Sequence, residues 1–362
     1  MTRKLGTITA AVAVAVSLGA CSTDGGAASS SEQAAPPAVC APLPPADITT
    51  ASGWVGYVGS HPDDVAFVVD DGRGRTVEHR AADTVPLASA IKVVHLAAYA
   101  RAVASGELDP AEPVPLSDWE RWYLPNTDGG AHPKALQRLG VTDPDATVPL
   151  EQMVTAMIQE SDNAVPDYLR DRLGDAALAD AAAQGGWDDL EVPTLLGSTI
   201  ALLDPAMSRD ARWDAAQRYA HDGAYREQVM RMAPGDDFPA VTARVQESGV
   251  TGSAAGLASL HRAIATGDFG PGSDVAREHL EWQPAPPGLD GLGFKGGNLP
   301  GVVTEAMTIR RSDGTVATAV LLTSHLSSED YLNVIGGNFA HQQLLLEAMT
   351  DPDTASQLSC AV

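Results

Sequence analysis

The chain has little cysteine, little lysine and a deficit of positive charge. Its three cysteines are Cys21, Cys40 and Cys360. All sit in end segments, so none is a candidate nucleophile. The nine histidines include no H-E-x-x-H and no tight ligand spacing, so neither a metal site nor any cofactor is implied. Lysine occurs only at Lys4, Lys92, Lys134 and Lys295. With 23 Lys and Arg against 47 Asp and Glu, the formal net charge is −24. Phosphate backbones require clustered cations, so nucleic acid is excluded as a partner. The acidity itself serves solubility. Long apolar runs are also missing, with one exception near the start. Leu5 to Leu18 is apolar and small, but falls short of the ~20 residues that cross a bilayer.

That exception has a different reading. Arg3 and Lys4 precede the apolar stretch, and Leu18-Gly19-Ala20-Cys21 follows it. This is the pattern of a secretory signal over residues 1–20. It resembles a bacterial lipobox, in which Cys21 becomes the lipidated first residue. Residues 21–50 are rich in Ala, Ser, Gly and Pro and cannot bury a core, so they read as a flexible tether. The expected location is outside the cytoplasm, lipid-anchored at the outer face of the cytoplasmic membrane. If Cys21 carries lipid, Cys40 and Cys360 are left in an oxidising compartment, and a disulfide between them is expected. The alternative is two free thiols.

Beyond the tether the pattern changes twice. Trp54–Val58, Asp64–Val69 and Arg75–Arg80 read as antiparallel strands, with a turn at Asp70-Asp71-Gly72. From Pro86 to about Pro271 the spacing is helical. Ala88–Ser105 is apolar almost all round, which marks a buried helix, and Gly106 stops it. Further helices are expected over Val148–Glu160, Asp167–Leu173, residues 205–232 and Gly252–Ala265. After Pro284 strands return at Gly291–Gly297, Val302–Arg310 and Val316–Ser324. One long helix is expected over Ser328–Met349. A sheet split in sequence by helices implies an α/β domain of residues 51–86 and 285–362 interrupted by a helical domain of residues 87–284. The cleft between them is the natural ligand site. No internal repeat is present, and a monomer is expected.

Three short motifs carry chemistry. In Ser89-Ala90-Ile91-Lys92 the two polar residues share one helix face, so the amine can approach the hydroxyl. Burial disfavours the ammonium form, and a neutral lysine can take a serine proton. Ser161-Asp162-Asn163 follows a helix; its ordinary reading is a cap or turn. Lys295-Gly296-Gly297 lies in a strand, where glycines otherwise mark a bulge. Here they would leave an open edge for an extended acyl group.

In this order the motifs resemble the S-x-x-K, S-D-N and K-T-G set of class A β-lactamases and penicillin-binding proteins. The resemblance extends through "DVAFVVDDGRGRTVEHRAADTVPLASAIKV", "TVPLEQMVTAMIQESDNAVPDYLRDRLG" and "GLGFKGGNLPGVVTEAMTI", and is thin between residues 175 and 250. It implies an antiparallel five-stranded sheet flanked by helices, with an inserted helical domain. It also implies roles. Ser89 attacks an acyl carbonyl, Lys92 takes its proton, and Ser161 passes a proton to the departing nitrogen. Asn163 holds the substrate amide and orients Lys92. Lys295 attracts a substrate carboxylate. Gly297 and Asn298 lie along the binding edge, with the Ser89 and Asn298 N–H groups forming an oxyanion hole.

Two departures stand out. Gly296 replaces the hydroxyl residue that binds the substrate carboxylate, a loss of ~0.5–1.5 kcal/mol or more. The loop glutamate that activates water for deacylation is also missing. Glu191 is the nearest carboxylate, lacks the Leu-Asn that should follow, and reads as a solvated loop residue. Tyr331-Leu332-Asn333 imitates a Y-x-N motif but falls after Lys295, out of order. His95 reads as a core histidine, and "TDGGAHP" at 127–133 as a glycine-rich turn or, alternatively, a cleft wall. The expected function is an exported serine hydrolase acylated by a β-lactam or related amide or ester. A D-Ala-D-Ala peptidase, or a non-catalytic envelope lipoprotein of the same fold, are the alternatives.

Overall fold

The computed structural model describes residues 40–232 and 237–362. The signal, Cys21 and most of the tether lie outside them. The centre is a five-stranded antiparallel sheet. Its strands are β1 (Val65–Asp70), β2 (Thr76–His79), β3 (Leu289–Leu299), β4 (Val302–Arg311) and β5 (Val316–Thr323). The spatial order is β2-β1-β5-β4-β3, so β3 is an edge strand.

Both faces of the sheet are covered, which explains why β5 is apolar or small throughout rather than alternating. Side chains still divide with the period of two that a strand imposes. Val65, Phe67, Val69, Ala319 and Leu321 enter a core with Trp54, Val58, Leu344 and Leu345. Ala66, Val68, Val320 and Leu322 enter the other, with Leu87, Ile91 and the helical segment. Burying a side chain such as Leu321 contributes roughly 1.5–3 kcal/mol, so each face stabilises the sheet.

Two sequence expectations are corrected. Trp54–Val58 is not a strand but part of a helix, Ala51–Ser60. A five-residue apolar run does not distinguish the two. Thr50 decides it by capping the helix, its hydroxyl accepting from Gly53 N at 3.0 Å. Gly53 and Gly56 let residues 44–47 pack so close that a Cβ would lie 2.1 Å from Asp47 O or 2.2 Å from Pro44 O. Packing thus overrides the low helix propensity of glycine. The second correction concerns Ser328–Met349. It forms two helices, Ser328–Ile335 and Ala340–Thr350, broken at Gly336-Gly337, where Gly337 has φ +108°. A last helix, Pro352–Ala361, carries Cys360, which is bridged to Cys40 with a Cα separation of 5.6 Å.

The buried helix runs Lys92–Ser105 after a 3-10 turn at Ala88–Ile91, and ends at Gly106 with φ +76°. It is preceded by a two-residue ladder, Val85–Pro86 against Thr251–Gly252. Leu87 N then donates to Val250 O at 2.9 Å, which fixes where the turn begins.

Candidate active site

Ser89 sits in the turn that leads into Lys92–Ser105. The preceding Ala88 has φ +46° and Ser161 has φ +68°. Both are left-handed positions that cost non-glycine residues of order 1–3 kcal/mol and persist only where the surroundings impose them. Helical spacing puts Lys92 one turn after Ser89, with its Nζ 2.9 Å from Ser89 Oγ. The same nitrogen lies 2.6 Å from Ser161 O, 2.6 Å from Asn163 Oδ1 and 3.1 Å from Ser161 Oγ. Lys92 has no exposed surface. Burial drives its pKa well below the usual lysine value, and the Lys295 charge adds to that.

The four oxygens around Lys92 are not equivalent. Ser161 O and Asn163 Oδ1 can only accept. A neutral amine gives them its two N–H bonds, leaving its lone pair for the Ser89 hydroxyl proton. The arrangement can therefore hold Lys92 as a base oriented at Ser89.

The loop carrying Ser161 and Asn163 is held by Asp162 between them. Asp162 is fully buried. Its Oδ1 accepts from Ala164 N and Val165 N at 2.8 and 2.9 Å, capping the helix Ala164–Leu173, and from Trp119 Nε1 at 3.2 Å. Its Oδ2 lies 2.6 Å from His132 Nδ1. Burial pushes this carboxyl up, but the His132, backbone and Trp119 bonds outweigh burial and hold it below the usual range. Sequence reading gave Asp162 only the ordinary reading of a cap or turn, which its bonds to Ala164 N and Val165 N meet. Trp119 and His132 lie on two other helices, and no local spacing announces them.

Lys295 reaches Ser161 from the other side, Nζ to Oγ 3.0 Å, and donates to Gly296 O at 2.8 Å. Burial pushes its pKa down to about 8, with the Glu305 charge opposing. Gly297 packs β3 against the turn that carries Ser89. A Cβ there would lie 2.2 Å from Ser89 N. The two distant lysines and both serine hydroxyls thus converge.

Ser89, Ser161, Asn163, Lys295, Gly297 and Asn298 all line one cavity of about 710 Å³, with Lys92 beneath its floor. Thr127, Asp128 and Gly129 form part of its wall, as the 127–133 segment suggested. Tyr331 also lines it, its hydroxyl 3.0 Å from Asn298 Oδ1. It faces the strand rather than Ser161, so the Y-x-N order is not reproduced. His95 is a fully buried histidine, as the sequence suggested. Burial, helped by Arg170 and Lys92, pushes it down to about 3. Glu191 does not line this cavity. It pairs with Arg209 beside a smaller neighbouring cavity of about 230 Å³.

The carboxylates that do line the main cavity, among the described residues, are Asp128, Glu160 and Glu305. Asp128 is engaged by Tyr123 Oη, Gly130 N and His132 N, and Glu160 by both ends of the Arg138 fork. Only Glu305 keeps an oxygen, Oε2, without a hydrogen-bond partner among the described residues.

The fold recurs in solved β-lactamases. The enzyme from Sphaerobacter thermophilus is 19% identical, with a TM-score of 0.56 over 84% of this chain and 98% of that one. A variant of the class A β-lactamase of the last common ancestor of Gram-negative bacteria is 15% identical, with a TM-score of 0.54 over 84% and 98%. A β-lactamase from Chitinophaga pinensis is 15% identical, with a TM-score of 0.51 over 81% and 99%. No curated protein sequence matches the chain. The profile described as the Beta-lactamase enzyme family matches residues 57–336, most of the folded part, and the chain belongs to that family.

Proposed function

We propose that this protein is a serine hydrolase that forms an acyl-enzyme on Ser89 from a β-lactam or a related amide or ester. The observation that carries the reading is the 2.9 Å approach of a buried, oriented Lys92 amine to Ser89 Oγ. Lys92 takes the hydroxyl proton as Ser89 Oγ bonds to the acyl carbon. The carbonyl oxygen becomes an oxyanion, and the Ser89 and Asn298 N–H groups are its donors, each worth ~2.7–4 kcal/mol. As the tetrahedral centre collapses, the C–N or C–O bond breaks and Ser161 hands its proton to the leaving atom. The proton on Lys92 then restores Ser161, whose oxygen lies 3.1 Å away. The Lys295 ammonium, 3.0 Å from the same oxygen, favours its transient negative charge.

Release of the acyl group needs a base aimed at water. Glu191 lies outside the cavity, Asp128 and Glu160 are engaged, and the unpartnered oxygen of Glu305 is covered while its other oxygen is held by His341 and Gln342. Slow deacylation follows, which favours a long-lived adduct of the kind penicillin-binding proteins form. The test is intact mass over time with a reporter penicillin and, in parallel, an activated ester without a carboxylate. A Ser89 adduct with either, absent in Ser89→Ala, supports the reading. No adduct with both overturns it and leaves a non-catalytic binding protein.

We also propose export and lipid anchoring at Cys21. The lipobox-like sequence supports this, and so does the Cys40–Cys360 bridge, since such bonds persist in oxidising compartments. Fatty-acid labelling of the expressed protein, lost in Cys21→Ser, checks it. Equal labelling of the two would refute it.

A further inference from the structure

The absence of a hydroxyl at Gly296 is more than a deletion. A Cβ at this position would lie 2.4 Å from Glu305 Oε2 and 2.9 Å from Phe294 Cζ. Gly296 and Glu305 are cross-strand partners on β3 and β4. The carboxyl group of one residue thus fills the space that the missing side chain would need.

Glu305 is 5% exposed and lines the cavity. Its Oε1 is doubly engaged, 2.7 Å from His341 Nε2 and 3.1 Å from Gln342 Nε2. Both partners come from the helix Ala340–Thr350 behind the strand, and they fix the carboxyl plane. Oε2 accepts nothing among the described residues. A buried carboxylate oxygen without a donor costs a large desolvation penalty, so this one is built to receive a donor from elsewhere. Oε2 is itself covered, so a donor reaches it only by displacing part of that cover.

A substrate carboxylate brought to this corner meets a like charge instead of a hydroxyl. The neighbouring Lys295 uses two of its hydrogens on Ser161 Oγ and Gly296 O, which leaves one ammonium hydrogen for a ligand. The corner therefore offers one anionic acceptor and one cationic donor. A primary carboxamide matches both, with its N–H toward Glu305 and its C=O toward Lys295. A second cation would suffer from Lys295, and a carboxylate from Glu305.

We infer that Glu305 and Gly296 redirect this site from carboxylate-bearing substrates to uncharged amides and esters that present a carboxamide at that position. This rests on the proposed acyl-enzyme reading for its chemistry, but not for its binding preference.

The test uses three activated esters identical except for one substituent: carboxylate, carboxamide or methyl. Acylation of Ser89 is followed by intact mass. The matching unreactive amides are titrated into Ser89→Ala by calorimetry. The carboxamide is expected to lead the carboxylate by at least about 10-fold in both measurements. In Glu305→Gln that ratio should fall to within about 3-fold, because the like charge is gone. A carboxylate that binds and reacts as well as the carboxamide overturns the inference without need of any variant. So does a folded Glu305→Gln protein that keeps the full ratio. If the preference appears in binding but no ester acylates Ser89, this inference stands and the acyl-enzyme reading falls. If the preference is absent from binding, this inference falls whatever the esters do.

Discussion

The two ends of the cavity differ in how fully their polar groups are satisfied. At the Lys92 end, the amine, both serines, Asn163 and Asp162 all have partners, and the loop is pinned by Trp119 and His132. At the Glu305 end, one carboxylate oxygen has none among the described residues. The first end is organised before anything binds. The second, on the inference drawn above, is completed by a ligand. On the proposed reading, chemistry repeated on every substrate is prebuilt, while recognition is left as an open hydrogen-bonding demand.

Removing the proposed base tests the prebuilt end most severely. Lys92→Met is expected to slow Ser89 acylation by roughly 10²–10⁴-fold in the mass assay. A variant within about threefold of wild type would mean that Lys92 is structural. Next, Asp162→Ala should lower unfolding stability by about 3 kcal/mol in urea titration, since a capping carboxylate with four partners is lost. A change below about 0.5 kcal/mol would show that the loop holds itself.

The two glycines sharpen the contrast. An alanine Cβ at 297 meets the backbone nitrogen of Ser89, which cannot yield, whereas at 296 it meets the tip of a side chain. Gly297→Ala should therefore cost more stability, ~1–3 kcal/mol, than Gly296→Ala. Equal costs in thermal melts would place the rigid contact elsewhere. The gentlest probe is pH. The rate rises as Lys92 loses its proton, from below its usual range. It falls again as Lys295 loses its proton near pH 8, since there the cation is the useful form. The alkaline limb should move upward in Lys295→Arg. A limb that stays in place belongs to another group.

Much of this was legible in the sequence. Ser89 and Lys92 announce each other because helical spacing alone brings them together, and the order of the three motifs is fixed by the chain. The five sheet strands could also be read, four of them from turns and β-branched residues and the fifth, Leu289–Leu299, from its place after Pro284. The helix Ala51–Ser60 could not, because its apolar run fits either period and the decision falls to Thr50 and to close packing at Gly53. The break at Gly336-Gly337 was signalled by two adjacent glycines that the apolar pattern on either side obscured. Glu305 escaped for a different reason. Its meaning arises from a cross-strand neighbour and from a helix 36 residues further on, and no window along the chain contains both.

The bridge between Cys40 and Cys360 encloses a span of 320 residues. A protease that nicks any exposed turn inside that span leaves two fragments still joined as one molecule. They part in a denaturing gel only when a thiol reductant is added, so damage to this protein is concealed until the bridge is opened.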